Sequence, residues 1–111
     1  MARLTYHLTP LAWWEREPTD APLTAPSLGD EGFVHCTDGA AAMVATANRH
    51  YRDDPRPFVI LTLDLEHVGS PWRIDDPERI YPHVHGPIDR AAIVAVTPAP
   101  RDADGRFLPF D

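Results

Sequence analysis

The sequence holds one cysteine and no lysine. A lone Cys36 excludes an internal disulfide and any multi-cysteine zinc site. All ten basic residues are arginine, a bias that a GC-rich bacterial genome explains as well as chemistry does. Basic charge is scarce overall, with a net charge of −7. That balance argues against broad binding to DNA or RNA. It leaves room for a small anionic ligand held by local arginines. No apolar run approaches the roughly 20 residues that span a bilayer. The N-terminal "MARLTYHLTP" lacks the charged-then-apolar pattern of a secretory leader, so a cytoplasmic location with no membrane contact is expected. HExxH, Walker and GxGxxG motifs are missing, as is a serine nucleophile elbow. There are no internal repeats.

What is present is a short, proline-rich chain. The 111 residues fit one domain, taken as 1–111. At 43% hydrophobic and 24% charged, the composition is that of a soluble globular protein. Thirteen prolines imply short elements and firm turns. Residues 3–9, "RLTYHLT", alternate: Leu4, Tyr6 and Leu8 share one face, and Thr5, His7 and Thr9 share a polar one. Thr9 and Pro10 then read as the N-cap and first position of a short helix with Leu11 and Trp14 on one side. Residues 18–30 read as a long proline-rich loop, and loops of this length in small domains tend to be functional.

A strand over 32–36, "GFVHC", is followed by an alanine-rich helix to residue 51, capped by Thr37 or Asp38. Met43 and Ala47, with Val44 and Tyr51, are its core candidates. Residues 58–65, "FVILTLDL", are the strongest strand, with the continuous apolar start of a central position. Short strands follow at 72–75 and 91–99. The prolines of 81–88, "YPHVHGPI", suggest an edge or an active loop. Phe107 and Phe110 are possible anchors for the polar tail. The pattern is α+β with five or six mostly antiparallel strands.

"EGFVHCTDG", residues 31–39, sets a histidine beside the cysteine. On a strand the two face opposite ways, so a direct Cys–His catalytic pair is not expected. Cys36 reads as a small core residue under the helix. His35 gains interest from His7, because "HLT" at 7–9 and "HCT" at 35–37 repeat one pattern. If the two strands are neighbours, His7, Thr9, His35 and Thr37 line one groove suited to a ribose or phosphate. Each Thr also reads as a plain helix cap, and each His as a half-exposed strand residue. His83 and His85 share a face, a spacing that suits two metal ligands, with His7 or His35 as a third. Arg73 reads as an anion contact or a surface ion-pair partner. Trp13 and Trp14 cannot both be buried by a narrow helix face, which leaves one to cover the groove or meet a partner protein.

Together "YHLT", "EGFVHCTD", "ANRHY", "YPHVHGPI" and "VAVTP…RDADGRF" resemble the domain-of-unknown-function family 952 over nearly the whole chain. The resemblance implies an ADP-ribosyltransferase-like fold: a split, mostly antiparallel β-sheet with two main helices around an NAD cleft. In that superfamily a polar residue on the first core strand binds the nicotinamide-side ribose, and His7 matches it. His35 matches the second position, as in the RNA 2′-phosphotransferase branch. The third position, commonly Glu, has no clear match on a late strand, and His83 is the nearest substitute.

The reading that follows is a small uncharacterised domain with a nucleotide cleft and ADP-ribosyl- or phosphotransferase-like potential. His35 and His83 are its candidate catalytic residues. His7, Thr9, Thr37 and Arg73 are its candidate cofactor contacts. NAD is the candidate cofactor, a small molecule is the expected partner, and no metal is assigned. The rivals are a non-enzymatic binding module, a His-based metal enzyme, and a protein-binding partner using the Trp13–Trp14 region.

Overall fold

The apolar stretch at residues 58–65 becomes the middle of the structure. The computed structural model describes residues 2–16 and 20–110. Strand β3 (Phe58–Asp64) is buried along nearly its whole length. It lies between β1 (Leu4–Pro10) and β6 (Ile93–Pro98), antiparallel to both. A second antiparallel sheet has the order β2-β5-β4, from β2 (Val34–His35), β5 (Pro82–Val84) and β4 (Trp72–Ile74).

The two sheets touch where Tyr6 pairs with Thr37. The Tyr6 N–H donates to Thr37 O at 3.0 Å and the Thr37 N–H to Tyr6 O at 2.8 Å. Among the described residues this bridge, between β1 and a residue just past the end of β2, is the strand pairing that links the two sheets. β5 is central in its sheet, contrary to the edge expected from its prolines. Pro82 is tolerated there as the first residue of the strand, where its carbonyl still accepts from the Cys36 N–H at 2.9 Å.

The described residues form three α-helices, one more than the two main helices expected. α1 (Leu11–Arg16) starts after Pro10, which still belongs to β1. Thr9 therefore does not cap it. α2 (Pro26–Glu31) occupies much of the stretch expected to be loop, bounded by Pro26 at its first turn and by Gly32 at φ 86°. Pro18 and Thr19 lie outside the described residues. α3 (Ala40–Tyr51) buries Met43 and Ala47 as expected. Its N-cap is Gly39, with no side-chain cap. Asp38 instead binds the Arg3 guanidinium at 2.6 Å.

The main core joins Val34, Cys36 and Val84 of one sheet to Val59, Leu61 and Leu63 of the other. A smaller cluster of Ala47, Phe58 and Phe107, with Leu8 and Val44 against it, fills the far side of the first sheet. Tyr51 stays exposed. The tail is held by Asn48, whose Nδ2 donates to Phe107 O at 3.1 Å and whose Oδ1 accepts from the Phe107 N–H at 2.7 Å. Phe110 packs edge-on against Tyr6 at 5.2 Å.

β1 reverses the simple reading of its alternation. Thr5, His7 and Thr9 are buried, while Leu4 is 47% exposed. The register explains this. Thr5 lies opposite Leu63, His7 opposite Leu61 and Thr9 opposite Val59, all on the face that meets the main core. The far face is partly covered as well, by the cluster that Leu8 packs against, so alternation could not tell inside from outside.

Candidate functional site

Beside the Tyr6–Thr37 bridge lies a cleft of about 860 Å³, within the range of small-molecule sites. His7, Thr9, His35, Thr37 and His83 all line it. The repeated His–Thr pattern thus does meet in one groove.

His7 is fixed by its neighbour strand. Its Nδ1 lies 2.7 Å from the His35 carbonyl oxygen. A carbonyl only accepts, so Nδ1 carries the proton and Nε2 carries the lone pair. Nε2 is buried with no hydrogen-bond partner. Burial pushes the imidazole pKa down, only partly offset by the bond to the His35 backbone. His7 is therefore a neutral acceptor. The Thr9 hydroxyl is likewise buried without a partner. Unsatisfied buried polar atoms are rare and costly, and two on one cleft wall call for an explanation.

His35 stands exposed at the rim. Its Nε2 donates to Glu31 Oε2. The Gly32 turn brings this about: it closes α2 and swings Glu31 back beside β2. His83 lies directly opposite His35 in register, with ring centroids 5.2 Å apart. Burial, and then the neighbouring His35, push the His83 pKa down.

Arg73 does not join them. It is the register neighbour of His83 on the other side, so His35, His83 and Arg73 form a row across the sheet. At the outer end of that row Arg73 is exposed, pairs with Asp75 at 3.5 Å and does not line the cleft. The arginines that do are Arg16, Arg49 and Arg56. Arg56 is neutralised by Asp54 at 2.7 Å, which holds that carboxyl down at about 2. The charge pattern along the chain gave no sign of this trio, because the three come from separate segments.

The metal alternative does not assemble. Among the described residues no group of three His, Cys, Asp or Glu side chains is placed to hold a metal ion. Phe33 is the reason. Its ring stacks on His83 at 4.2 Å and stands 4.8 Å from His35 and 5.5 Å from His85. The three imidazoles surround a phenyl ring. Cys36 is buried, and burial, then Asp38, raise its thiol to about 12. It is a core residue, not a nucleophile. The tryptophans are half-buried against their own chain. Trp13 Nε1 donates to Thr24 O at 3.0 Å, and Trp14 packs on the core under Arg90.

Among the described residues no helix is long and apolar enough to cross a membrane. No curated protein matches the sequence. Among solved structures the chain is similar to protein CC0527 from Caulobacter crescentus. A crystal structure of it shares 23% identity at a TM-score of 0.75, covering 96% of this chain and 94% of that one. Its solution NMR structure shares 20% identity at 0.70, covering 92% and 89%. At this identity the likeness speaks to the fold alone. A family model described as "Protein of unknown function (DUF952)" matches residues 8–96. Most of the chain is covered, both sheets contribute to the match, and the chain belongs to this family.

Proposed function

We propose that the cleft binds a nucleotide of the NAD or ADP-ribose type, in an ADP-ribosyltransferase-like fold. The observation that carries this is the pair of buried, unpartnered acceptors, His7 Nε2 and Thr9 Oγ1, on one wall of the cleft. A ribose supplies what they need: adjacent hydroxyls that donate to an imidazole nitrogen and exchange hydrogen bonds with a threonine. Thr37 closes the wall at the Tyr6 bridge. The split antiparallel sheet supports the same reading. The protein is taken as one domain acting in the cytoplasm.

His35 and His83 are the acid–base candidates. Glu31 accepts from His35 Nε2, which leaves the lone pair on Nδ1 and makes that atom the base. General acid–base work by His contributes about 10²–10⁴-fold. His35→Ala or His83→Ala would lower any turnover by that order.

A binding module without turnover is the second reading. It is favoured by the carboxylates of the cleft. Asp76 is occupied by the backbone N–H groups of Ile80 and Tyr81, and Glu31 by His35. Neither is free for the role that a third-position Glu has in transferases.

Titration of the protein with NAD and ADP-ribose, by calorimetry or chemical-shift change, tests the reading. Binding lost in both His7→Ala and Thr9→Val supports it. Failure of the wild type to bind at millimolar ligand sinks it. Product analysis after incubation then separates enzyme from binding module.

A further inference from the structure

The nucleotide reading uses His7, Thr9, Thr37, His35 and His83 and leaves Arg49 and Tyr81, which also line the cleft, without a role. Arg49 stands in that turn, exposed, and lines the cleft. Its Nη1 donates to the Tyr81 Oη at 3.4 Å. Among the described residues it forms no ion pair with a carboxylate. Glu78 acts on it only as a distant charge. Asp76, which also lines the cleft, is not its counter-ion: both Asp76 oxygens accept backbone N–H groups, from Ile80 at 3.1 Å and Tyr81 at 3.0 Å. That grip holds Tyr81 in place. Arg16 is a second lining cation that pairs with no carboxylate among the described residues, and it stacks over the Trp13 ring at 4.4 Å.

We infer that Arg49 and Tyr81 form an oxyanion subsite for a phosphate or pyrophosphate group, with Arg16 as a second positive charge on the cleft. The chemistry fits. A guanidinium has five N–H donors and only one is used here. The phenol can accept from Arg49 and turn its own O–H to a phosphate oxygen. In a chain of net charge −7, two cations that form no ion pair among the described residues make a local place for an anion in one cleft. Resting on the nucleotide reading, the inference gives the ligand a direction. Its ribose lies toward His7 and Thr9, and its phosphates lie toward Arg49.

The test uses three probes, inorganic pyrophosphate, ADP-ribose and adenosine, on the wild type, Arg49→Gln and Tyr81→Phe. Arg49 is exposed in a final helical turn, so its replacement leaves the fold intact, which an unchanged amide spectrum verifies. Pyrophosphate at millimolar concentration should move the Arg49 Nε–H and Tyr81 ring signals in the wild type, and should leave the Tyr81 ring signals still in Arg49→Gln. ADP-ribose should bind Arg49→Gln at least about tenfold more weakly, as expected for a lost charged hydrogen bond. Tyr81→Phe should show a smaller loss, and adenosine should not respond to either change. If pyrophosphate leaves those signals still, or if Arg49→Gln weakens adenosine as much as ADP-ribose, the subsite is wrong. Should neither nucleotide bind, the ribose reading fails, while pyrophosphate alone still decides the subsite.

Discussion

The imidazole of His7 and the backbone carbonyl of His35 are 2.7 Å apart, across the junction of the two sheets. That single contact fixes the His7 tautomer. It sets a lone pair, not a proton, on the buried nitrogen, and it ties the acceptor wall of the cleft to the strand that carries His35.

The depressed pKa of His7 has a consequence for stability. In the unfolded chain His7 protonates around its ordinary value of 6.5, while the buried ring stays neutral in the fold. The unfolded state therefore binds more protons below that pH. Stability is full above pH 6.5 and falls as the pH drops towards the folded value. The contribution approaches about 1.4 kcal/mol per pH unit for one proton. His83, shifted the same way, adds to it. Urea unfolding between neutral pH and pH 5 should show this fall. His7→Gln should flatten it, and an equally steep fall in that variant would remove His7 as its source.

Thr5 is fully buried, and its hydroxyl has no partner. Thr5→Val keeps the shape and removes the unsatisfied oxygen, so it should stabilise the protein by about 1 kcal/mol. Leu4→Thr, on the exposed neighbour, should be close to neutral. Thermal melts of both variants check the inverted faces of β1. A destabilised Thr5→Val would mean that its hydroxyl is bonded in solution.

Cys36 should not react with a thiol reagent in the native state, because its pKa is about 12 and its side chain is buried. Labelling should proceed at the rate of unfolding and accelerate in urea in step with it. Fast native-state labelling at neutral pH would contradict the burial of this strand.

Glu31→Ala should change the tautomer of His35 and little else. The pair is exposed, so its share of stability is small. Nitrogen chemical shifts of the imidazole should report a proton held on Nε2 in the wild type and a mixture in the variant. Identical shifts in the two proteins would separate Glu31 from the site.

Several elements follow from local chemistry. β3 matches the apolar run that suggested a central strand. α3 matches the alanine-rich segment with Met43 and Ala47 inward. The opposed faces of His35 and Cys36 follow from the two-residue period of a strand. The short α2 was readable too, since Pro26 and Gly32 bracket it as start and stop signals. The abundance of prolines pointed instead to a loop.

The α+β class, the family and the His–Thr repeat that lines the cleft were legible in the chain, because these depend on residue type and spacing. Three things came only with the packing of distant segments. It put Thr5, His7 and Thr9 inside, because the register of β1 sets them against Leu63, Leu61 and Val59 of the main core. It left Arg73 outside the cleft, because β5 stands between β4 and β2. It brought Arg16 and Arg49 to the cleft from helices on different parts of the chain. Such meetings depend on strand order and packing between distant segments, and neither is encoded in the period of any one segment.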